Sequence, residues 1–244
     1  MKSVLQPVLA LLVTFASICA SPCFGQNSDD IATRKVELKD GNSIEYGYIE
    51  PADFDASKEY PILLALPPGP QNRKMVKASF DLYWSNAGKH GWVVVAPIAP
   101  KGKHFNNGSE ALIPEFLKKI RTRYKPAGKR FHLAGVSNGG TSAFRIAGLF
   151  PDEFHSLIAM PGFPKSDEDK KNLAKLKTKP IALYVGSKDK AWIDRMESTA
   201  KKLKELGADV SFKQFEDQGH VIQGWQDGKK LFTQLDQWHK QLNK

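Results

Sequence analysis

The chain has 244 residues, of which 41% are hydrophobic and 25% are charged, so it can bury a large core and is not intrinsically disordered. Its formal net charge is +10, but the basic residues are scattered at helical spacing among apolar ones, which is typical of solvated helix faces and argues against a nucleic-acid site. Both cysteines lie within the first 25 residues, which excludes an internal disulfide in the rest of the chain.

The N-terminal segment 1–25 has the three parts of a secretory signal peptide. Lys2 supplies a basic start, an apolar run follows, and small residues precede two candidate cleavage sites, after Ala20 and after Gly25. The apolar run is shorter than the ~20 residues that a membrane span needs. We therefore expect residues 26–244 to form a single domain that is exported to the periplasm or secreted, with an uncleaved membrane anchor as the alternative.

The remaining chain alternates between strands and helices. A hairpin comes first, because two strand-like runs flank the turn dipeptide Asp40-Gly41. The predicted strands are 33–39, 42–50, 60–67, 92–100, 130–136, 154–162, 179–186 and 208–216, and the predicted helices are 75–91, 109–124, 140–150, 191–207 and 227–242. Continuous apolar strands separated by helices predict the α/β class, with a mostly parallel sheet of about eight strands covered on both faces. The interval between Met160 and Pro180 is too short for a cap domain, so we expect an open site.

The stretch "GVSNGG" at residues 135–140 follows a predicted strand and precedes a predicted helix. It matches the pattern G-x-S-x-G, in which a sharp turn lifts a serine hydroxyl above the carboxyl edge of the sheet. Gly135 and Gly139 suit so tight a turn, because side chains there would collide with neighbouring elements. The following helix N-terminus favours developing negative charge at the same place. Ser137 is therefore the candidate nucleophile, and an ordinary glycine-rich turn is the alternative.

A serine nucleophile needs a histidine base and an acid that orients the base. His220 is the candidate base, because it directly follows a strand in a loop at the same sheet edge, whereas a buried or hydrogen-bonded structural role is expected for His132. Asp189 is the candidate acid, because it comes one short turn after a buried strand. Asp194 is the alternative acid, but it lies one helical turn further on, where we expect it to face solvent.

The oxyanion of an acyl-transfer intermediate needs two amide donors. The amide of Asn138, the residue after the nucleophile, is the first candidate. The second should come from the loop "PPGPQN" after the strand 60–67, where the prolines have no N–H, so Gly69 is the earliest donor and Gln71 the alternative. Trp192 and Trp225 follow the acid and the base closely, and either line the pocket or pack in the core.

These motifs resemble the α/β-hydrolase family, most closely its small secreted esterases, which are related to polyhydroxybutyrate depolymerases, feruloyl esterases and the phospholipase/carboxylesterase group. The resemblance is carried by "RFHLAGVSNGG", "GSKD", the dipeptide "GH" that ends in His220, and "PILLALPPGPQ", and it covers nearly all of the predicted mature chain. It implies that Ser137, Asp189 and His220 form a catalytic triad. The family has a His-Gly pair where this chain has Pro67-Pro68, a departure that concerns the acyl pocket more than the triad.

The resemblance implies a serine hydrolase that cleaves carboxylic esters through an acyl-enzyme and needs neither a metal nor an organic cofactor. The expected partner is a small-molecule or polymer-borne ester; we expect no nucleic acid and no membrane span after processing, while a weak attraction to acidic polysaccharide or anionic lipid stays open. Two other functions are retained. One is a serine peptidase or acyltransferase on the same fold, and the other is a catalytically silent protein that binds a cell-envelope partner.

Overall fold

The computed structural model describes residues 31–100 and 103–242, so the predicted signal peptide at 1–25 lies outside the described residues. The strands are β1 (Thr33–Glu37), β2 (Ser43–Ile49), β3 (Glu59–Tyr60), β4 (Ile62–Leu66), β5 (Val93–Pro97), β6 (Lys125–Pro126), β7 (Phe131–Gly135), β8 (Phe154–Ala159), β9 (Ile181–Gly186) and β10 (Val210–Phe215). The helices are α1 (Arg73–Ser79), α2 (Ile113–Arg123), α3 (Asn138–Leu149), α4 (Asp167–Asn172), α5 (Lys190–Glu205) and α6 (Lys229–Gln241).

Eight of these strands form one sheet in the order β1-β2-β5-β4-β7-β8-β9-β10, and β3 pairs with β6 beside it. β1 is antiparallel to β2 and β2 is antiparallel to β5, whereas all other neighbours in the large sheet are parallel. The predicted hairpin and the predicted mostly parallel sheet of about eight strands are confirmed. Because β4, β7, β9 and β10 run in the same direction, the turns that follow them lie at the same sheet edge.

The sheet is covered by helices on both faces. In β4, Ile62 and Leu64 face one apolar cluster and Leu63 and Ala65 face the other, and none of the four is more than 1% exposed. Side chains of α2, α3 and α5 join the first cluster, and side chains of α1 and α6 join the second. Both faces of the central strands are therefore buried, which explains why these strands are continuous apolar runs in the sequence.

The helix predicted over 75–91 is shorter and more irregular than the pattern indicates. It begins as α1, continues as a π-helical turn over Phe80–Trp84, and ends in a 3-10 turn over Gly88–His90. The rings of Tyr83 and Trp84 are buried at 2% and 1% exposure. A π-helical turn changes the direction of its side chains relative to a regular helix, so packing of these two rings into the core takes precedence over helical regularity.

The helix α4 was not predicted, although the sequence carries a signal for it. Ser166 accepts a hydrogen bond from the amide of Asp169, and the Asp169 carboxylate accepts one from the amide of Ser166, which together form a capping box. The helix has only six residues and is highly charged, so it lacks the apolar periodicity by which longer helices are identified.

Candidate active site

Ser137 lies in the turn that joins β7 to α3, and its backbone adopts a sparsely populated conformation with φ 56° and ψ −117°. Such a conformation in a residue other than glycine costs on the order of 1–3 kcal/mol and is found preferentially at functional sites. A Cβ atom on Gly135 would collide with the carbonyl oxygen of Gly139, and a Cβ atom on Gly139 would collide with that of Leu66. The turn therefore requires glycine on both sides of the serine, and it places Ser137 at the N-terminus of α3.

The loop that carries His220 lies against the turn that carries Asp189. The strand β9 ends at Gly186, where a Cβ atom would collide with the carbonyl oxygen of Gln218. The amide of Lys188 donates a hydrogen bond of 2.9 Å to the same Gln218 carbonyl. Close approach of the two segments at the end of β9 thus brings Asp189 and His220 together, although they are 31 positions apart in the chain.

Ser137, His220 and Asp189 form a continuous hydrogen-bonded chain. His220 Nε2 lies 2.8 Å from Ser137 Oγ, and His220 Nδ1 lies 2.6 Å from Asp189 Oδ2. Asp189 stands at the N-cap position of α5 but makes no side-chain capping bond there. Its side chain is 11% exposed, whereas that of His220 is 41% exposed. A sheltered carboxylate therefore holds an imidazole that solvent and substrate can reach.

The alternative acid Asp194 is not part of this chain. It lies one turn further along α5 with an exposed side chain, as predicted. His132 is 1% exposed, and its Nδ1 lies 2.7 Å from Ser156 Oγ, which matches the structural role predicted for it.

The two candidate tryptophans have different surroundings. Trp225 is buried and packs against the rings of Tyr184 and Phe215, so it belongs to the core. Trp192 is half-buried, and its ring centroid lies 5.0 Å from that of His220. Trp192 therefore forms a wall beside the imidazole, and Trp225 does not.

The amides of Asn138 and Gly69 lie in segments that are bonded to each other. The side-chain amide of Asn138 donates to the carbonyl of Gly69 at 2.9 Å, and the Asn106 side chain donates to Asn138 Oδ1 at 3.3 Å. Within the described chain, neither the Asn138 nor the Gly69 backbone N–H donates to another residue. Neither N–H group is therefore engaged within the described residues, and their role as oxyanion donors stays a prediction. The alternative donor, the amide of Gln71, is already engaged, because it donates to the carbonyl of Pro68 at 3.0 Å.

The side chain of Gln71 makes long-range contacts that sequence reasoning missed. It is fully buried, and its Nε2 donates to the carbonyl of Pro67 at 3.2 Å and to Ser142 Oγ at 3.0 Å, while its Oε1 accepts from the amide of Phe105 at 2.8 Å. These bonds join the loop that contains Gly69 to α3 and to the segment that follows β5. Two of the partners lie 34 and 71 positions away, so no local pattern identifies them.

Within residues 31–100 and 103–242, no group of three or more His, Cys, Asp or Glu side chains is arranged to hold a metal ion. No helix within the same ranges is both long enough and apolar enough to cross a membrane.

Known proteins resemble this chain at several levels. The model of the Esterase family matches residues 55–243. The fold of a thermostable esterase superposes with a TM-score of 0.66 at 19% identity, over 88% of this chain and 62% of that one. A ferulic acid esterase superposes with a TM-score of 0.65 at 19% identity, over 86% of this chain and 98% of its own.

One curated relative is a peptidase. Dipeptidyl-peptidase 5 of Porphyromonas gingivalis is 27% identical over 141 residues, which cover 53% of this chain and 21% of the peptidase, so the chain spans about a fifth of that relative's length. The structural likenesses establish a shared α/β-hydrolase fold, and the family match extends over most of the chain. The chain belongs to the Esterase family and has the α/β-hydrolase fold.

Proposed function

We propose that this chain is a carboxylic-ester hydrolase in which Ser137 is the nucleophile, His220 the general base and Asp189 the acid that orients the base. The observation that carries the proposal is the pair of hydrogen bonds through His220, which ends on a serine held in a strained turn. Nucleophile, base and orienting acid within hydrogen-bond distance are the recurring arrangement of covalent acyl transfer.

In the first half of the reaction, the Ser137 Oγ attacks the carbonyl carbon of the ester while His220 Nε2 takes the hydroxyl proton. The carbonyl electron pair moves to oxygen, and a tetrahedral oxyanion forms. Asp189 accepts a hydrogen bond from the Nδ1–H group of His220 and stabilises the imidazolium. The intermediate then collapses as the bond to the alcohol oxygen breaks. That oxygen takes the proton from Nε2, and the acyl group remains on Ser137.

In the second half, water attacks the acyl carbon while His220 Nε2 takes one of the water protons. The second tetrahedral intermediate expels the Ser137 Oγ, which regains its proton from the imidazolium, and the carboxylic acid is released. In both halves the oxyanion accepts hydrogen bonds from the amides of Gly69 and Asn138. A preorganised donor of this kind contributes about 10²- to 10³-fold to turnover.

A serine peptidase is the second candidate, and the peptidase relative supports it. Both reactions use the same groups, but an amide nitrogen leaves less readily than an ester oxygen and depends more on protonation by His220. The family match supports the ester reaction. An exposed His220 is compatible with small esters and with esters borne on a polymer.

The proposal is tested with paired substrates that share one acyl group. The purified protein is assayed with 4-nitrophenyl acetate and butyrate, with the corresponding 4-nitroanilides, and with a dipeptidyl 4-nitroanilide. We expect turnover of the esters, loss of that turnover in Ser137→Ala, and much slower cleavage of the anilides. Faster cleavage of the dipeptidyl anilide would identify a peptidase, and formation of a new ester with an added alcohol would identify an acyltransferase. Absence of turnover of every substrate by folded protein would favour the envelope-binding alternative.

We also propose that the protein is exported after removal of the leader. The support is the pattern of a basic start, an apolar run and small residues within 1–25. N-terminal sequencing of the protein recovered outside the cytoplasm should begin at Ser21 or at Gln26. Recovery of the chain with Met1 still in place would contradict this proposal.

A further inference from the structure

A cavity of about 730 Å³ lies beside the proposed catalytic residues, between the segment that follows β8 and the outer side of α5. None of Ser137, His220 and Asp189 lines it. Its volume is within the range of cavities that hold small molecules. We name it the cationic groove, because its lining includes Lys165, Lys170, Arg195 and Lys202.

The cationic groove is connected to the imidazole by two ring contacts. The ring centroid of Trp192 lies 5.0 Å from His220 on one side and 5.0 Å from Phe163 on the other. Phe163 also lines the groove, and Arg195 places its guanidinium 5.0 Å from the centroid of the Phe163 ring. A ligand in the groove would therefore be separated from the reacting ester by about the width of two aromatic rings.

Positive charge in the groove exceeds negative charge. Lys170 pairs with Asp167 at 2.9 Å, and Lys202 pairs with Glu205 at 3.3 Å. Within the part of the chain that the structure describes, Lys165 and Arg195 form no ion pair.

The lining of the cationic groove also contains one carboxylate, Asp194, which is exposed and adjacent to Arg195 in the chain. The guanidinium of Arg195 is positioned by its cation–π contact with Phe163. Two cations without ion-pair partners, one of which lies above the ring of Phe163, suit a ligand that has both a carbon framework and an anionic group.

We propose that the cationic groove binds the anionic group of a water-soluble, carboxylate-bearing ester, such as an esterified acidic saccharide, while its ester reacts at Ser137. This inference rests on the proposed function and specifies its substrate class. A membrane surface is disfavoured, because the large apolar side chains exposed in the described chain are Val221 and Leu242, too few for an inserting face. The net charge of +10 adds a long-range attraction for the same substrates.

The first test compares two aryl esters of equal acyl length, mono-4-nitrophenyl suberate and 4-nitrophenyl octanoate. A second pair places the carboxylate on the alcohol part, with 4-carboxyphenyl acetate against phenyl acetate. The ratio of kcat/KM for the anionic ester to that for the neutral ester is measured in each pair. The double variant Lys165→Glu/Arg195→Glu should lower this ratio about 3- to 10-fold in at least one pair, mainly through KM. In wild type the ratio should fall as salt is raised to about 0.5 M, because salt screens exposed charges.

The matched control is Lys201→Glu/Lys204→Glu, which changes the net charge by the same amount at two exposed positions of α5 outside the groove. It should leave the ratio unchanged. An equal fall in the ratio in both double variants would show a general charge effect and would overturn the inference. Thermal melting of both variants establishes that they fold, and the single variant Lys165→Glu, at an exposed position, repeats the test if the double variant does not.

A binding measurement separates this inference from the proposed function. Trigalacturonate is titrated into the protein by calorimetry, and no hydrolysis is involved. Heat of binding that is lost in Lys165→Glu/Arg195→Glu and kept in the control would support the groove even if no ester were turned over. Absence of binding together with turnover of neutral esters would overturn the proposal that the cationic groove binds an anionic group, and it would leave the proposed esterase function standing. Co-sedimentation with phosphatidylglycerol vesicles that depends on Lys165 and Arg195 would also overturn it, in favour of a lipid surface.

Discussion

Two serine–histidine pairs lie at opposite edges of the sheet and have almost the same distance between their partners. Ser137 Oγ is 2.8 Å from His220 Nε2 at the carboxyl edge, and Ser156 Oγ is 2.7 Å from His132 Nδ1 near the starts of β8 and β7. The second pair is buried, at 0% and 1% exposure. The hydrogen-bond distance by itself therefore does not distinguish a candidate catalytic serine from a structural one.

The difference between the pairs lies in the second nitrogen of each imidazole and in the backbone of each serine. His220 presents its other nitrogen to the Asp189 carboxylate, whereas His132 presents its own to the imidazole of His239 at 3.3 Å. Burial, with the neighbouring histidines, holds the pKa of His132 well below its ordinary value of 6.5. An imidazole with so low a pKa is a weak base, so we expect the acid partner and access to substrate to distinguish a catalytic pair from a structural one.

The largest expected effect is the loss of kcat on substitution of Ser137, and substitution of Ser156 is the comparison. Ser137→Ala should lower kcat for an aryl ester by about 10⁶-fold, because the nucleophile is removed. Ser156→Ala should leave kcat within about twofold and lower the melting temperature, because His132 then loses a buried hydrogen-bond partner. Steady-state kinetics and thermal melting of the two variants check both statements. Retained activity in pure Ser137→Ala would refute the assignment of the nucleophile.

The next effect concerns the acid partner that the buried pair lacks. Asp189→Asn should lower kcat by about 10⁴-fold, because an amide at this position does not stabilise the imidazolium. Asp194→Asn removes the neighbouring carboxylate of α5 and serves as the matched control, with a far smaller loss. A larger loss of kcat in Asp194→Asn than in Asp189→Asn would identify Asp194 as the acid that orients His220.

A smaller effect is expected at Gln71, a buried polar side chain that is hydrogen-bonded to the loop at the carboxyl edge of the sheet. Gln71→Ala should lower kcat about 10- to 100-fold with little change in KM, since it releases the loop that carries the Gly69 amide. This loss is below the ~10²- to 10³-fold expected for direct removal of an oxyanion donor. Ser142→Ala, which removes one partner and leaves the bond to Pro67, should cost less. A loss of activity that merely follows the fraction of unfolded protein would contradict the positioning role.

The smallest expected effect is a pH dependence of stability that is caused by His155 and His239, the two histidines in contact with the buried His132. Burial lowers the pKa of His155 to about 4 and also lowers the pKa of His239, which the Asp236 carboxylate opposes. Above pH 6.5 these histidines are neutral in both the folded and the unfolded chain, and the full stability is present. Between 6.5 and about 4 the unfolded chain binds more protons, so lowering the pH favours unfolding.

At pH 5, the lowered pKa of His155 alone should reduce the free energy of unfolding by roughly 1 kcal/mol, after allowance for the partial exposure of this side chain to solvent. His155→Leu should therefore reduce the fall in melting temperature between pH 8 and pH 5 by about 3 °C. Thermal melts of both proteins at the two pH values measure this difference. If the fall in melting temperature between pH 8 and pH 5 were the same in both proteins, His155 would not contribute to acid stability.

The candidate triad could be selected from the sequence because each member follows a strand of the parallel part of the sheet. A glycine on each side of Ser137, a short turn before Asp189 and a loop directly after a strand for His220 are local signals, and the parallel sheet places all three at one edge. The catalytic roles stay predictions, but the side chains do meet in the structure. Local patterns were sufficient here because the sheet does the long-range positioning.

Features that depend on long-range side-chain packing could not be predicted in the same way. The cluster of His132, His155 and His239 joins two strands and the last helix, and no local pattern in the sequence indicates that these three imidazoles meet. The contact between Phe163 and Trp192, on which the cationic groove depends, likewise joins two segments without a shared pattern. Periodicity indicates which face of an element is buried, but it does not indicate which side chains meet there.

The central claim is that Ser137 is activated and Ser156 is not, and a fluorophosphonate probe tests it most directly. The purified protein is labelled, digested, and the modified peptide is identified by mass. We expect labelling of Ser137, loss of labelling in His220→Ala, and no labelling of Ser156 in the folded protein. Folded protein that is not labelled at Ser137, or that is labelled equally in His220→Ala, would contradict the account.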